Sequence, residues 1–88
     1  MEGTYWKYQS WFDEKRPRTY FWIYCKLIKL DPNNKDRAEF ETVALGNYHT
    51  HIDFNDWGLI SIRCKTQITR GEYLFAVKKG VKKSLDAL

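Results

Sequence analysis

The chain has 88 residues, enough for one domain and too few for two. Hydrophobic residues make up 43% and charged residues 30%, with four Trp, six Tyr and five Phe, more aromatic surface than a small core easily encloses. A net charge of +4 favours an anionic partner, and the longest uncharged apolar run, Tyr20 to Cys25, is far too short to span a membrane, so no membrane insertion is expected.

The charge is unevenly spread. Residues 31–57 hold two basic and six acidic groups, whereas residues 58–88 hold seven basic and two acidic ones. The N-terminal Met1-Glu2-Gly3-Thr4 lacks the basic start and apolar stretch of a secretory signal. Cys25 and Cys64 sit among aliphatic residues without a C-x-x-C spacing. They read as buried free thiols in a reducing cytoplasm, with a cross-strand disulfide as the alternative.

In chain order, Thr4 to Phe12 mixes Tyr5, Trp6, Tyr8, Trp11 and Phe12 with polar residues and is expected to be a strand. Asp13 to Pro17 is a charged turn. Arg18 to Leu30 is the clearest strand: Phe21, Ile23, Cys25 and Leu27 alternate with Tyr20, Trp22, Tyr24, Lys26 and Ile28. Asp31-Pro32-Asn33-Asn34-Lys35-Asp36 is turn chemistry. Residues 37–46 keep period two and contain Thr42 and Val43, which favours a strand over a helix opened by Pro32 and closed by Gly46. Gly46 to Gly58 reads as a loop with a short extended piece at His49 to Phe54. Leu59 to Gln67 reads as a strand, with Ile60, Ile62 and Cys64 inward and Ser61, Arg63 and Lys65 outward.

Thr69-Arg70-Gly71-Glu72 fits a capping box, and an amphipathic helix follows to Leu88. Its apolar arc holds Tyr73, Leu74, Ala76, Val77, Gly80, Val81, Ser84, Leu85, Ala87 and Leu88; Lys78, Lys79, Lys82 and Lys83 lie opposite, beside Phe75 and Asp86. A rival reading makes Gly71 to Lys79 a fifth strand that closes a small barrel, but the lysine-rich stretch after it has no strand pattern. The expected fold is α+β: an antiparallel meander of about four strands, with the C-terminal helix packed on the face formed by Phe21, Ile23, Cys25, Ile60 and Ile62.

Four constellations bear on function. Tyr20, Trp22, Tyr24 and Lys26, with Arg63 and Lys65, would form an outward aromatic-basic sheet face suited to stacking unpaired bases and holding phosphates. The same aromatics would serve a second small core or a dimer interface equally well. Lys78, Lys79, Lys82 and Lys83 would extend an electrostatic track along a phosphate backbone, or hold an anionic membrane surface or an acidic protein patch; a solvated helix face is the plainer alternative. The pair His49 and His51 with Asp53 has a spacing that suits a metal or acid–base cluster, but no second ligand pair and no nucleotide or nucleophile motif accompanies it. The acidic stretch around Tyr48 and Trp57 would dock a basic protein or guard a sheet edge.

The sequence therefore points to a non-enzymatic nucleic-acid-binding domain without cofactor or metal, single strands favoured. The alternative is a protein-binding module or inhibitor, of the sort a mobile element or virus carries, using exposed Trp and Tyr anchors. A homodimer is compatible with either.

Overall fold

The computed structural model describes residues 2–11, 20–46 and 50–86. Its elements are β1 (Tyr5–Trp11), β2 (Tyr20–Leu30), β3 (Arg37–Gly46), β4 (Thr50–Leu59), a helical turn α1 (Ile60–Arg63), a short β5 (Thr66–Ile68) and the long helix α2 (Arg70–Asp86). The five strands form one open antiparallel sheet in the order β4-β3-β2-β1-β5. The α+β meander with a C-terminal helix is thus present.

The β2–β3 connection is built as the residues between Leu30 and Arg37 require. The Asn33 amide donates to Asp31 Oδ1 at 2.9 Å and the Asp36 amide to Asn34 Oδ1 at 3.0 Å, two side-chain-closed turns in succession. Strand β3 follows the period-two pattern. At the other end, the Glu72 amide donates to Thr69 Oγ1 at 3.1 Å, which caps α2 where the Thr-x-x-Glu spacing places its start.

Two expectations are corrected. The fourth strand is Thr50–Leu59, where a loop was expected, and the stretch read as a strand from Leu59 to Gln67 is α1 followed by the three residues of β5. The cause is tertiary. Residues 50–59 are rich in Asp and Asn and carry weak strand propensity, yet they pair with β3 along almost its whole length. At the turn, Asp36 takes up the first donors of α1: its carbonyl accepts from the Ile60 amide at 2.8 Å, and its carboxylate from the Ser61 amide and hydroxyl at 3.1 and 2.9 Å. These bonds start a helical turn that local alternation does not announce. Ile62, expected inward, is 53% exposed.

A third expectation is corrected too, the face that the helix covers. Cross-strand register places Trp6, Tyr8, Ile23, Cys25, Leu27, Phe40 and Thr42 on one face, and Tyr5, Lys7, Gln9, Trp22, Tyr24, Lys26, Glu41 and Val43 on the other. α2 lies on the second. Tyr73 stacks at 5.2 Å on Tyr5, and its hydroxyl donates to the Glu41 carbonyl (3.2 Å) and Oε1 (2.8 Å). A Cβ on Gly80 would stand 2.9 Å from Val43 Cγ1, so glycine is what lets the helix come this close to the strand. The aliphatic face is covered instead by α1: Cys25, Leu27, Ala38 and Phe40 are buried there against Trp6, Ile60 and Cys64. Both faces therefore carry a core. The helix prefers the aromatic face because Tyr73 finds acceptors there and because Gly80 fits over Val43, with the small Ala76 buried on the same stripe.

Candidate functional site

The structure divides the residues singled out above among three places. The first is the outer surface of α2. Tyr73, Ala76 and Gly80 are buried and Val77 is half-buried, a narrow stripe one side of a helix can seat on a flat sheet. Leu74, Val81 and Leu85 belong to the apolar arc by sequence, yet they remain exposed at its margins, Val81 at 45% and Leu85 at 63%. Phe75 is exposed at 62%. Phe75, Lys78, Lys79, Val81, Lys82 and Leu85 together frame a shallow groove on the solvent side. The Lys79 ammonium lies 4.8 Å from the Phe75 ring centroid, a cation–π contact that holds the aliphatic stem along the ring. Lys83 belongs to α2, but its side chain is outside the described residues.

The second place is a corner where β5 begins beside β1. Trp22 is half-buried there, with the Lys7 ammonium 5.1 Å from its ring centroid. Trp22, Tyr8, Gln9, Ile62, Lys65 and Thr66 line a cleft of about 380 Å³. Tyr24 and Lys26 share the sheet face with Trp22 but lie toward α2. Burial raises the Tyr24 pKa, with the nearby Glu72 charge on α2 adding to it. Lys26 lies over Tyr5 at 5.9 Å. Tyr20 pairs with Trp11 at the end of β2, and its side chain is outside the described residues.

Arg63 is in the third place, on the opposite face. Its guanidinium makes a two-pronged bond to Asp56 (2.5 and 3.1 Å) and lies 5.2 Å over the Phe40 ring, while Thr42 Oγ1 donates to the same carboxylate at 3.3 Å. Burial is the largest single influence and works against the Arg63 charge, but the bond to Asp56 together with the neighbouring Tyr8, Asp56 and Cys25 outweighs it and the pKa is raised. A Cβ on Gly58 would come within 2.1 Å of the guanidinium, so a glycine in β4 makes room for it. Arg63 was expected outward beside Lys65; here it is a half-buried structural cation.

The carboxylates of the acidic segment are largely used within the fold. Asp31 closes a turn and meets Arg37 at 3.6 Å, Asp36 starts α1, Glu41 receives Tyr73, and Asp56 holds Arg63. Trp57 is covered on one side by Arg37 at 5.2 Å. Tyr48 and His49 lie outside the described residues, as does the His51 side chain. Among the described residues, no three His, Cys, Asp or Glu side chains gather as metal ligands, and no helix is long and apolar enough to cross a membrane.

Cys25 and Cys64 are free thiols. Burial pushes Cys25 up to about 12, with Cys64 close by adding to the shift, and pushes Cys64 up to about 11 despite Arg63. The Cys25 thiol donates to the Trp6 carbonyl at 3.6 Å. Neither is an activated nucleophile.

The chain matches no protein-family model, no curated protein and no solved structure. Phe75 and the lysines are legible in the sequence; the exposure of Leu74, Val81 and Leu85 is not. Its one advance sign is the pair of small residues Ala76 and Gly80, which marks a narrow docking stripe.

Proposed function

We propose that this protein is a non-enzymatic binding domain whose α2 outer face docks on a partner protein, in an apolar groove rimmed by carboxylates. The observation that carries this reading is the exposure of Phe75, Val81 and Leu85 between Lys78, Lys79 and Lys82. A large apolar side chain gains about 1.5–3 kcal/mol when water is removed from it. Three of them around one groove offer anchoring that a phosphate backbone has no use for. The lysines add steering and orientation, and Leu74, Val81 and Leu85 recur at the spacings by which a helix enters a groove, with Phe75 across Lys78 and Lys82 from them. A second copy of the chain in the same groove would set lysines against lysines, so an acidic partner is favoured over a homodimer through this face. The free, unreactive thiols agree with a reducing compartment such as the cytoplasm.

Nucleic-acid binding is the second reading. It rests on Trp22, Lys7 and Lys65 at the β1 corner and on the helix lysines for phosphate contact. It is weakened by the placement of Arg63 on the other sheet face and by Tyr24 and Lys26 lying toward α2. Titration of 20-nucleotide single-stranded DNA, RNA and duplex DNA, followed by tryptophan fluorescence at low and physiological salt, separates the two. The protein reading expects weak association that disappears as salt rises. Tight binding that persists at physiological salt and is lost in Trp22→Ala would replace it with the nucleic-acid reading.

A further inference from the structure

The geometry points to a second binding site, separate from α2: the open half of β1 receives an extended peptide by strand addition, with the peptide's C-terminal carboxylate at Lys65. β1 pairs with β2 over all seven of its residues, from Tyr5↔Lys26 to Trp11↔Tyr20. On its other side β5 pairs with Tyr5, Trp6 and Lys7 and goes no further. Among the described residues, no strand pairs with Tyr8–Trp11 on that side. Among the described residues, half of a strand thus presents unpaired backbone donors and acceptors beside a cleft.

The two outer edges of the sheet differ in how they are guarded. β4 carries Asp53 and Asp56, and its register with β3 breaks between Phe40 and Thr42, both devices that discourage further pairing. The open stretch of β1 reads Tyr-Gln-Ser-Trp, without charge, proline or a break in register. It is the edge suited to accept a strand.

The register also sets the direction and chemistry of the occupant. β5 begins at Thr66 opposite Lys7 and runs antiparallel to β1. A peptide in the same row and direction therefore ends opposite Tyr8, where the chain enters from Lys65. Lys65 is exposed and has no ion pair among the described residues. Its ammonium favours a terminal carboxylate at this point and repels the terminal amine that a parallel peptide would bring. The cleft of about 380 Å³, walled by Tyr8, Trp22 and Ile62, takes one large apolar side chain from the end of the peptide. Ile62, exposed at 53%, offers that contact an apolar wall. The ligand class is an extended C-terminal peptide with an apolar last or penultimate residue.

The probe is acetyl-Thr-Val-Thr-Val-Phe with a free C-terminal carboxylate. It is compared with its C-terminal amide and with a form N-methylated at alternate residues, using nitrogen–proton correlation spectra. The free acid is expected to shift the amides of Gln9 to Trp11 and the Trp22 indole saturably. The amide should bind about tenfold more weakly, and Lys65→Ala should lose the same factor. The N-methylated form should not bind, because it cannot complete the ladder. Equal binding of acid and amide, equal binding of the N-methylated form, or no shift at these positions at millimolar peptide would each overturn the proposal. Because α2 is not involved, replacement of Phe75 should leave this binding unchanged, which keeps the two sites distinguishable.

Discussion

At the scale of single residues, the side chains that matter most to the fold are polar groups given a partner in the core. Tyr73 is 2% exposed, and its hydroxyl has both Glu41 acceptors within reach. Tyr73→Phe keeps the ring against Tyr5 and removes the donor, and should cost about 1–2 kcal/mol in urea unfolding. Free thiol chemistry is held down by burial. With Cys64 pushed up to about 11 from 9.0, its thiolate fraction near neutral pH falls by about a hundredfold, so alkylation by iodoacetamide at pH 8 should be slower than that of an exposed cysteine by roughly that factor. Labelling at the rate of a free thiol would contradict the placement of Cys64 against the core. The sequence showed that both cysteines lie among aliphatic residues; the burial expected from this holds for Cys25, whereas Cys64 is half-buried at the margin of the core. It did not show that Arg63 belongs with Asp56, because that bond depends on β4 and α1 folding back on each other, and on the missing Cβ at Gly58.

At the scale of elements, alternation and capping were the dependable signals. β2 and β3 follow period two, the Asp-Pro-Asn-Asn connection closes as a turn, and α2 starts at its Thr cap. β4 and α1 escaped because tertiary bonds decide them: strand pairing overrides weak propensity in one, and Asp36 sets the first turn of the other. The face chosen by α2 escaped for a different reason. Both faces of the sheet carry large hydrophobic groups, so the apolar arc of the helix suits either, and the choice falls to the fit of Ala76, Gly80 and Tyr73. Gly80→Ala tests that fit. Alanine is the better helix former by about 1 kcal/mol, but its Cβ would meet the buried, stiff Val43 side chain at 2.9 Å. The variant should be net destabilised by about 1 kcal/mol or more by urea unfolding, because overpacking costs about 1–3 kcal/mol. A stabilised variant would mean the helix sits further from β3 than described.

At the scale of the molecule, the sheet separates two chemistries. One face is sealed by α1 over thiols, aliphatics and the Arg63–Asp56 pair; the other carries a helix whose far side is cationic and greasy. The sealed groups give the whole protein a pH dependence. Cys25, Cys64 and Tyr73 all have raised pKa values, so each stays protonated in the fold at a pH where the unfolded chain has begun to ionise. Their contribution to stability is complete below about pH 9 and declines as pH rises toward 11 and 12. Urea midpoints should therefore fall steadily from pH 9 upward, and a midpoint unchanged to pH 11 would contradict the burial of these groups. The basic stretch from residue 58 onward was plain in the sequence and was the ground for expecting an anionic partner. What the sequence left open was the character of that partner, since nothing local tells which apolar residues of an amphipathic helix the sheet leaves uncovered.

The most direct test of protein docking through α2 is photo-crosslinking from position 75, with benzoylphenylalanine in place of Phe75 and irradiation in the cells that make the protein. The account predicts one discrete protein adduct, lost when Lys78, Lys79 and Lys82 are changed together to Glu, and not formed from the same probe at Gln67 on the other sheet face. Adducts to nucleic acid alone, or the same adducts from positions 75 and 67, would contradict it.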